Sequence, residues 1–340
     1  IYTQRDTLSL HDALPISDHL RLDVNLDLSG TTFTQAPIAP DTVIGPYDYK
    51  EDFEGIPFAG HFDGNGHSIS GLTISGGDNC HLGLFGGIRL GEVKNLTIHE
   101  CNISGALRNI GGLCGARLIG IISNCSVTGT ISGGAAGSRN IGGLCGYVRS
   151  RNDILNCSAD VTVSGNKCVG GLIGEHNLDG MGRIMNCTSS GSVEGDAQAG
   201  GLCGSNYTRI YDCSSDAAVT GRTNVGGFCG FTAGGGPFEL TVSGCYAAGD
   251  VTSTGEKVGG FCGVNEGTLQ DCFTTSTVTG GTGYVGGFCG WSWNGQILRS
   301  YAAGTLTVDP DVLTAAGFCG VNSDAPGFTG SLSHCFWNTQ

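Results

Sequence analysis

The sequence predicts an all-β protein built as a parallel β-solenoid (β-helix), and three observations support that fold class. A phrase built around Gly-Gly-(Leu/Phe)-Cys-Gly occurs nine times, at intervals of 29, 31, 28, 30, 26, 33, 27 and 30 residues. Glycine supplies 62 of the 340 residues. Short β-branched runs alternate with Gly, Asn, Asp and Ser, which is typical of strands and turns. Such a period marks stacked supersecondary units, so we expect about nine coils of ~29 residues.

The repeated cores share a Leu or Phe followed by a small or apolar residue and a Gly. They are GLFG at 83–86, GGLCG at 111–115, 142–146 and 200–204, GGLIG at 170–174, GGFCG at 226–230, 259–263 and 286–290, and AGFCG at 316–320. A second landmark, such as Asn124-Cys125-Ser126 or Asp271-Cys272-Phe273, follows each core. Each coil would pair its strands with those of the coils above and below, at about 4.8 Å per coil.

The chain divides into three segments. Residues 1–17 lack the Gly-, Thr- and Val-rich composition of the repeats, and the peptide SLHDALPI resembles translated sequencing-adapter DNA. We therefore expect these residues to be a non-native leader. The alternative is a short disordered leader. We expect residues 18–82 to form an N-terminal cap with entry strands, because solenoids need atypical end units to cover their apolar cross-section. Residues 83–340 predict the solenoid itself, and we expect the parent protein to continue beyond both ends.

Composition limits the function classes. The formal net charge is −14, which argues against nucleic acid and anionic membranes as partners, since both demand a basic surface. No run of 18 apolar residues occurs, so the sequence predicts no membrane insertion by this fragment. We expect an extracellular or cell-surface location on a bacterium.

Fourteen of the 17 cysteines fall in two columns. Seven lie in the core phrase and seven in the second landmark, and six coils carry both. Three interpretations stay open. Buried free thiols fit because Phe85, Leu96 and Ile173 replace Cys in these columns, and free Cys packs as a small hydrophobe. Within-coil disulfides suit an extracellular setting. Zinc is the third interpretation, although CxxC is absent.

Two further columns change together. Coils with a core Leu carry Thr or Ser after the second landmark, whereas coils with a core Phe carry Tyr or Phe there. One interpretation is separate duplication of two repeat subtypes. The other is that the two columns touch and form stacked aromatic ladders in the C-terminal half.

Enzyme signatures are incomplete. His99-Glu100 begins a HExxH-like string, but Ile103 occupies the second His position. The GxGxxG match at 281–286 precedes a strand rather than a helix. Asp212 and Asp271 share a column at a separation compatible with glycoside chemistry, but Asn occupies that column in other coils, which favours a turn ladder. His61, Asp63 and His67 could bind a cation or serve as solvated turn residues. We therefore predict no catalytic residues, no metal site and no cofactor.

The repeats resemble the GLUG motif, which is found in bacterial surface proteins and N-terminal to immunoglobulin A metallopeptidase domains. The resemblance covers about residues 19–340 and includes LDVNLDLSG, FAGHFDGNGHSISGLTI, the core phrases, strands like CYAAGDVTSTG and the closing Cys335-Phe336-Trp337-Asn338-Thr339. It implies a repeat module of a larger exported protein. This chain departs from the pattern in having Cys where other members more often carry Val, Ala or Ser.

These observations predict a non-catalytic extracellular module, an adhesin-like stalk or ligand-presenting rod. A carbohydrate-active β-helix (polysaccharide lyase or hydrolase-like) is the main alternative, and an ice-binding solenoid with Thr-x-Thr fragments is a minor one. Host or environmental glycans or proteins are the expected partners. The candidate ligand-binding residues are aromatic and follow the core phrases, where we expect outward turns. They are Tyr147, Tyr207, Phe231, Trp291 and Trp293.

Overall fold

The fold is described by a computed structural model over residues 19–41, 53–134, 137–149, 152–177, 182–234, 240–308, 312–323 and 330–338. Within these ranges every regular element is a β-strand, and the strands form two sheets of 18 and 22 strands. Successive coils pair in parallel, as between Ser158–Gly170 and Thr188–Gly200. The predicted parallel β-solenoid is therefore confirmed. The predicted leader at 1–17 lies outside the described residues.

The strands of the first sheet carry the core phrases and the segments that precede the second landmarks. They are His19–Arg21, His61–Asp63, Phe85–Lys94, Cys114–Ser123, Cys145–Arg149, Asn152–Leu155, Ile173–Asn177, Arg183–Met185, Cys203–Asn206, Arg209–Tyr211, Cys229–Thr232, Thr241–Ser243, Cys262–Asn265, Thr268–Gln270, Cys289–Trp293, Gln296–Leu298, Cys319–Ser323 and Ser331–Ser333.

The strands of the second sheet follow the second landmarks and lead into the next core phrase. They are Leu26–Asp27, Thr32–Phe33, Ser68–Ser70, Thr73–Ser75, Thr97–Ala106, Arg108–Gly111, Ser126–Gly133, Arg139–Gly142, Ser158–Gly170, Thr188–Gly200, Ser214–Ser215, Ala218–Gly226, Tyr246–Ala247, Val251–Ser253, Val258–Gly259, Phe273–Thr274, Val278–Gly280, Tyr284–Gly286, Tyr301–Ala302, Leu306–Thr307, Thr314–Ala316 and Phe336–Trp337.

The core phrases stack in one unbroken register. Each residue after the core Leu or Phe pairs with its equivalent in the next coil, which gives nine rungs and eight full turns. The rungs are Phe85, Cys114, Cys145, Ile173, Cys203, Cys229, Cys262, Cys289 and Cys319. The drifting spacer lengths therefore leave the pairing of this column intact.

The N-terminal section continues the stack before the first repeat. His19–Arg21 pairs with His61–Asp63, which pairs in turn with Phe85–Lys94. Ser68–Ser70 and Thr73–Ser75 pair with Thr97–Ala106 on the second sheet. The described parts of this section thus add two partial coils.

Two recurring backbone devices shape each coil. The residue that begins the second landmark has a left-handed φ, as in Asn124 and Asn156 (both 53°), a conformation that Asn tolerates better than most residues. A column of glycines bends the second sheet, because a Cβ at Gly165 would lie 2.7 Å from Ile141 Cγ1, and one at Gly195 would lie 2.9 Å from Val169 Cγ2. A side chain at either position would force these neighbours to shift, so glycine is favoured there.

Candidate functional site

The two cysteine columns form ladders of free thiols inside the solenoid. Seventeen cysteines are free, and only Cys319 and Cys335 are not fully buried. The thiols donate to nearby backbone carbonyls, as in Cys203 Sγ to Ser205 O (3.2 Å) and Cys187 Sγ to Met185 O (3.2 Å). In the second column the backbone N–H of Cys157 also donates to Cys187 Sγ at 3.4 Å. The structure therefore has the buried-thiol arrangement rather than within-coil disulfides.

Burial makes most of these thiols weak acids; the exceptions are Cys157, Cys213 and Cys319, whose pKa values are lowered by contacts with neighbouring thiols. Burial raises the pKa of Cys145, and of Cys101 outside the two columns, to about 12, because a thiolate would lose its hydration in the apolar core. A neutral buried thiol is chemically inert compared with an exposed, electropositive one. The ladders therefore serve packing and hydrogen bonding, and no group of three or more potential metal-ligating side chains occurs among the described residues.

The Asn column is a continuous side-chain ladder. The amide of each Asn donates to the side-chain oxygen of the preceding rung at 3.0 to 3.2 Å. The rungs are Asp63, Asn95, Asn124, Asn156 and Asn186. Asp212 and Asp271 continue the column with left-handed φ values of 53°. Arg299 donates to both carboxylate oxygens of Asp271 at 2.7 Å, so the column stabilises turns, as the sequence favoured.

The entry-turn residues take part in hydrogen bonds of the same kind. His61 Nδ1 lies 2.8 Å from Glu92 Oε2, and His67 Nδ1 lies 3.1 Å from Asn25 Oδ1. Asp63 accepts from the backbone N–H of Asn65 at 2.8 Å. The two histidine contacts join segments of different coils and the Asp63 contact closes a local turn, which fits the turn interpretation better than a cation site.

The five predicted ligand residues do not form one surface, and the expectation that they begin outward turns was wrong for four of them. Phe231, Trp291 and Trp293 lie in strands, at Cys229–Thr232 and Cys289–Trp293. Tyr147 lies in Cys145–Arg149 and is only 1% exposed. The strand continues past the core phrase because the Gly of that phrase packs tightly. A Cβ at Gly230 would lie 2.6 Å from Gln198 C.

Two accessible aromatic groups remain from this prediction. Tyr207 and Phe231 pack with centroids 5.7 Å apart. Trp291 and Trp293 stack at 5.7 Å, and Lys257 Nζ lies 4.9 Å from the Trp291 ring centroid. Trp291 Nε1 donates to Ser323 Oγ at 2.9 Å. We call Trp291, Trp293 and Lys257 the tryptophan cluster; Trp293 is its most exposed ring, at 39%.

The two aromatic ladders of the C-terminal half are separate. Phe228, Phe261, Phe288 and Phe318 stack inside the coil at 4.7 to 4.9 Å and within 9° of parallel. Tyr246, Phe273 and Tyr301 stack on the outer face at 5.1 and 5.2 Å. Among the described residues, ring pairs join neighbours within each column and none joins the two columns, so the idea that the columns touch is not supported. The outer rings stack on one another and leave mainly their edges to solvent.

A shallow groove follows the glycine bend of the second sheet, and the sequence analysis missed it. It has a volume of about 560 Å³, and its polar walls include Ser164, Asn166, Glu194, Asp196 and Arg222. Arg222 donates to both oxygens of Asp196 at 2.7 and 2.9 Å, which holds the pKa of that carboxyl below its usual range. Only the Gly column signalled this groove, and its walls differ from coil to coil.

An outer threonine column lies on the same sheet. Thr220, Thr252, Thr279 and Thr307 pair in register across four coils. Thr277 and Thr305 lie two residues before the last two of them. The partial Thr-x-Thr fragments of the sequence thus become a short two-column array.

The fold and its repeated ladders define a β-solenoid repeat protein. More specifically, the chain carries GLUG repeats, since the model of the GLUG motif matches residues 106–132 and 165–194. A curated relative is halomucin of Haloquadratum walsbyi, 36% identical over 77 residues, which is 22% of this chain and 1% of halomucin. This chain therefore spans a very small part of that relative.

A solved structure with a similar shape is that of a "putative immunoglobulin A1 protease" from Bacteroides ovatus. The TM-score is 0.48 and the identity 20%, over 94% of this chain and 77% of that one. Within the described residues, no helix is long and apolar enough to span a membrane.

Proposed function

We propose that this chain is a non-catalytic, rod-like module of a larger extracellular bacterial protein, and that it presents ligand-binding side chains along its length. The observation that carries the proposal is the unbroken register of nine core rungs. A stack of this kind holds outward side chains at fixed spacings on a rigid support.

The tryptophan cluster is the proposed contact surface. Trp293 is 39% exposed next to Trp291, and accessible Trp rings suit stacking on sugars or partner side chains. Lys257 adds a cation at its edge. The ligand class that fits these groups is a glycan or a glycosylated protein such as mucin.

The test is binding of the full chain to glycan and mucin arrays. Trp293→Ala should weaken binding about tenfold, as expected for a central aromatic contact. It should change the free energy of unfolding by no more than about 1 kcal/mol. Tyr301→Ala is the matched control, because Tyr301 is equally accessible (44%) but belongs to the outer ladder. Equal binding by wild type and Trp293→Ala would reject this surface.

A carbohydrate-active enzyme is the second proposal, and the groove beside Glu194 and Asp196 favours it. Asp196 is occupied by Arg222, so Glu194 is the group free to act as acid or base. Release of unsaturated or reducing sugars from acidic polysaccharides should then depend on Glu194, and Glu194→Gln should abolish it. Absence of turnover on a broad polysaccharide panel would reject an enzyme role.

Ice binding is a third proposal, supported by the threonine column from Thr220 to Thr307. Thermal hysteresis of the purified chain, with Thr279→Lys as the disrupting variant, tests it directly. A freezing point equal to the melting point would reject it.

A further inference from the structure

The interior of the solenoid contains a fully buried guanidinium. Arg117 lies in Cys114–Ser123, its side chain is 0% exposed, and Nε, Nη1 and Nη2 have no hydrogen-bond partner among the described residues. Arg keeps its charge in proteins and carries five N–H donors. A buried charge without a partner costs several kcal/mol, so this residue requires an explanation.

A second unpartnered donor lies in the same column. Arg117 pairs in register with Val148, and Val148 pairs with His176. His176 is 1% exposed, and neither ring nitrogen has a partner. Burial, with the nearby Arg117 charge, lowers the pKa of His176 to about 3. The imidazole is therefore neutral at physiological pH and offers one N–H donor.

Among the described residues, the groups that act most on the Arg117 charge are three thiols and one carboxylate. The three thiols that interact electrostatically with the Arg117 charge are those of Cys145, Cys114 and Cys157. Cys114 Sγ lies 2.8 Å from Ala116 O and Cys157 Sγ lies 3.3 Å from Leu155 O, contacts that a neutral thiol makes as a donor. Contacts with Cys125 and Cys187, together with the Arg117 charge, lower the pKa of Cys157, but its sulfur accepts no hydrogen bond from the guanidinium. Burial raises the pKa of Cys145 to about 12, which keeps this thiol neutral too.

One carboxylate, that of Asp153, also acts on the Arg117 charge, and it is already paired. Both oxygens of Asp153 accept from Arg183, at 2.7 and 3.2 Å. Hydrogen-bond donors therefore outnumber acceptors around Arg117, and the site lacks a negatively charged acceptor. Charge-assisted hydrogen bonds to an anion are the strongest way to satisfy a guanidinium.

We propose that Arg117 and His176 form an internal anion-binding site that takes up a small halide-class anion from solution and holds it within the coil stack. The anion would accept from the guanidinium and from one imidazole N–H, and it would neutralise the buried charge. Because the unfolded chain has no such site, the anion would stabilise the fold by mass action.

The first test is urea unfolding of the reduced full chain at constant ionic strength, with sodium chloride replacing sodium gluconate. The unfolding midpoint of the wild type should rise with chloride. Above the Kd, each tenfold increase should add about 1.4 kcal/mol to the free energy of unfolding. Arg117→Met should show no chloride dependence, whereas Arg299→Met, which removes a partly exposed Arg, should retain it. A wild-type midpoint independent of chloride would overturn the proposal.

The second test locates the anion directly and does not require a folded variant. Crystals of the wild type grown in sodium bromide should show an anomalous peak within hydrogen-bond distance of the Arg117 guanidinium. A solvent peak there without anomalous signal would identify water, and the proposal would be wrong. If Arg117→Met fails to fold, His176→Leu serves in its place and should weaken the chloride dependence. Full chloride dependence in that variant would remove His176 from the site.

Discussion

The coils with a core Leu and the coils with a core Phe share one backbone register but stabilise it differently. In the N-terminal half, amide side chains link the coils through the Asn ladder. Asp212 occupies this position in the last coil with a core Leu, and in the C-terminal half the column holds Gly244, Asp271 and Arg299. Stacked Phe rings inside and Tyr and Phe rings outside link those coils instead.

Strand length differs in the same way. The strands Ser158–Gly170 and Thr188–Gly200 each run for 13 residues around the glycine bend. Their equivalents in the C-terminal half begin with two-residue strands such as Tyr246–Ala247. There the chain kinks at Gly249, where a Cβ would collide with the carbonyl of Ala217. The comparison indicates that parallel pairing and glycine corners set the coil, while the side-chain chemistry between coils is interchangeable.

The largest change in the free energy of unfolding should come from alkaline pH, because both halves of the solenoid contain buried thiols. Unfolded thiols ionise near pH 9, but the pKa of Cys145 is raised to about 12. Above pH 9 the unfolded state therefore binds fewer protons than the folded state, and stability falls as pH rises. The loss should approach about 4 kcal/mol for such a thiol by pH 12. Urea unfolding from pH 7 to 11, where about 3 kcal/mol of this loss should have developed, measures it.

Cys145→Val should reduce this alkaline loss, whereas Cys335→Val should change it less, because Cys335 is only partly buried. Equal alkaline sensitivity of the wild type and both variants would mean that the ladder thiols do not control it.

The next largest change in stability should come from the core position that differs between the two halves, which is Leu in one half and Phe in the other. Phe261→Ala removes the ring that stacks on both Phe228 and Phe288, so it should cost about 3–5 kcal/mol. Phe261→Leu installs the residue of the N-terminal half and should cost less, about 1–2 kcal/mol. Urea unfolding followed by circular dichroism measures both. Similar costs for the two variants would show that ring stacking adds nothing beyond filled volume.

A smaller effect should come from the Asn ladder. Asn156→Ala removes two amide contacts and puts a Cβ residue without local hydrogen bonds at a φ of 53°, at a cost of about 1–2 kcal/mol. Asn156→Gly relieves the backbone strain and should cost about half as much, as the natural Gly244 in this column suggests. If Gly proved worse than Ala, backbone strain would not be what Asn relieves.

The smallest effect should come from the ion pair that replaces the ladder in the C-terminal half. Arg299 and Asp271 are both largely exposed, and exposed pairs contribute little. Arg299→Ala should leave the urea midpoint within experimental error, at low and at high salt. A clear destabilisation at low salt would mean that this pair takes over the role of the amide ladder.

Features that recur in every coil were predictable from the sequence. The core rungs, the thiol columns and the turn role of Asn124 and Asp271 follow from position within the period, because stacked coils place equivalent residues on equivalent rungs. Features that occur once were not predictable. Tyr147 was expected on an outward turn, but its strand continues and the ring is covered. Nothing in the sequence marks Arg117 as buried, since Arg is rarely buried in proteins.

The candidate surface was predictable only in part. An aromatic residue that recurs at the same position of successive coils indicates that the rings stack. It does not show on which side of the sheet the rings lie. Sequence placed Trp291 and Trp293 near each other, and the structure adds the contact of Lys257 with the Trp291 ring. The groove depends on a bend at Gly165 and Gly195 that only three-dimensional packing defines.

The buried thiols can report the order in which the coils of the solenoid open. Most coils bury their own cysteines, and Cys319 and Cys335, which lie in the last rungs described, are already partly accessible. A thiol-reactive probe should therefore label the chain in an order that follows the sequence of coil opening. Peptide mapping of the labelled cysteines would show whether the stack frays from one side or opens cooperatively.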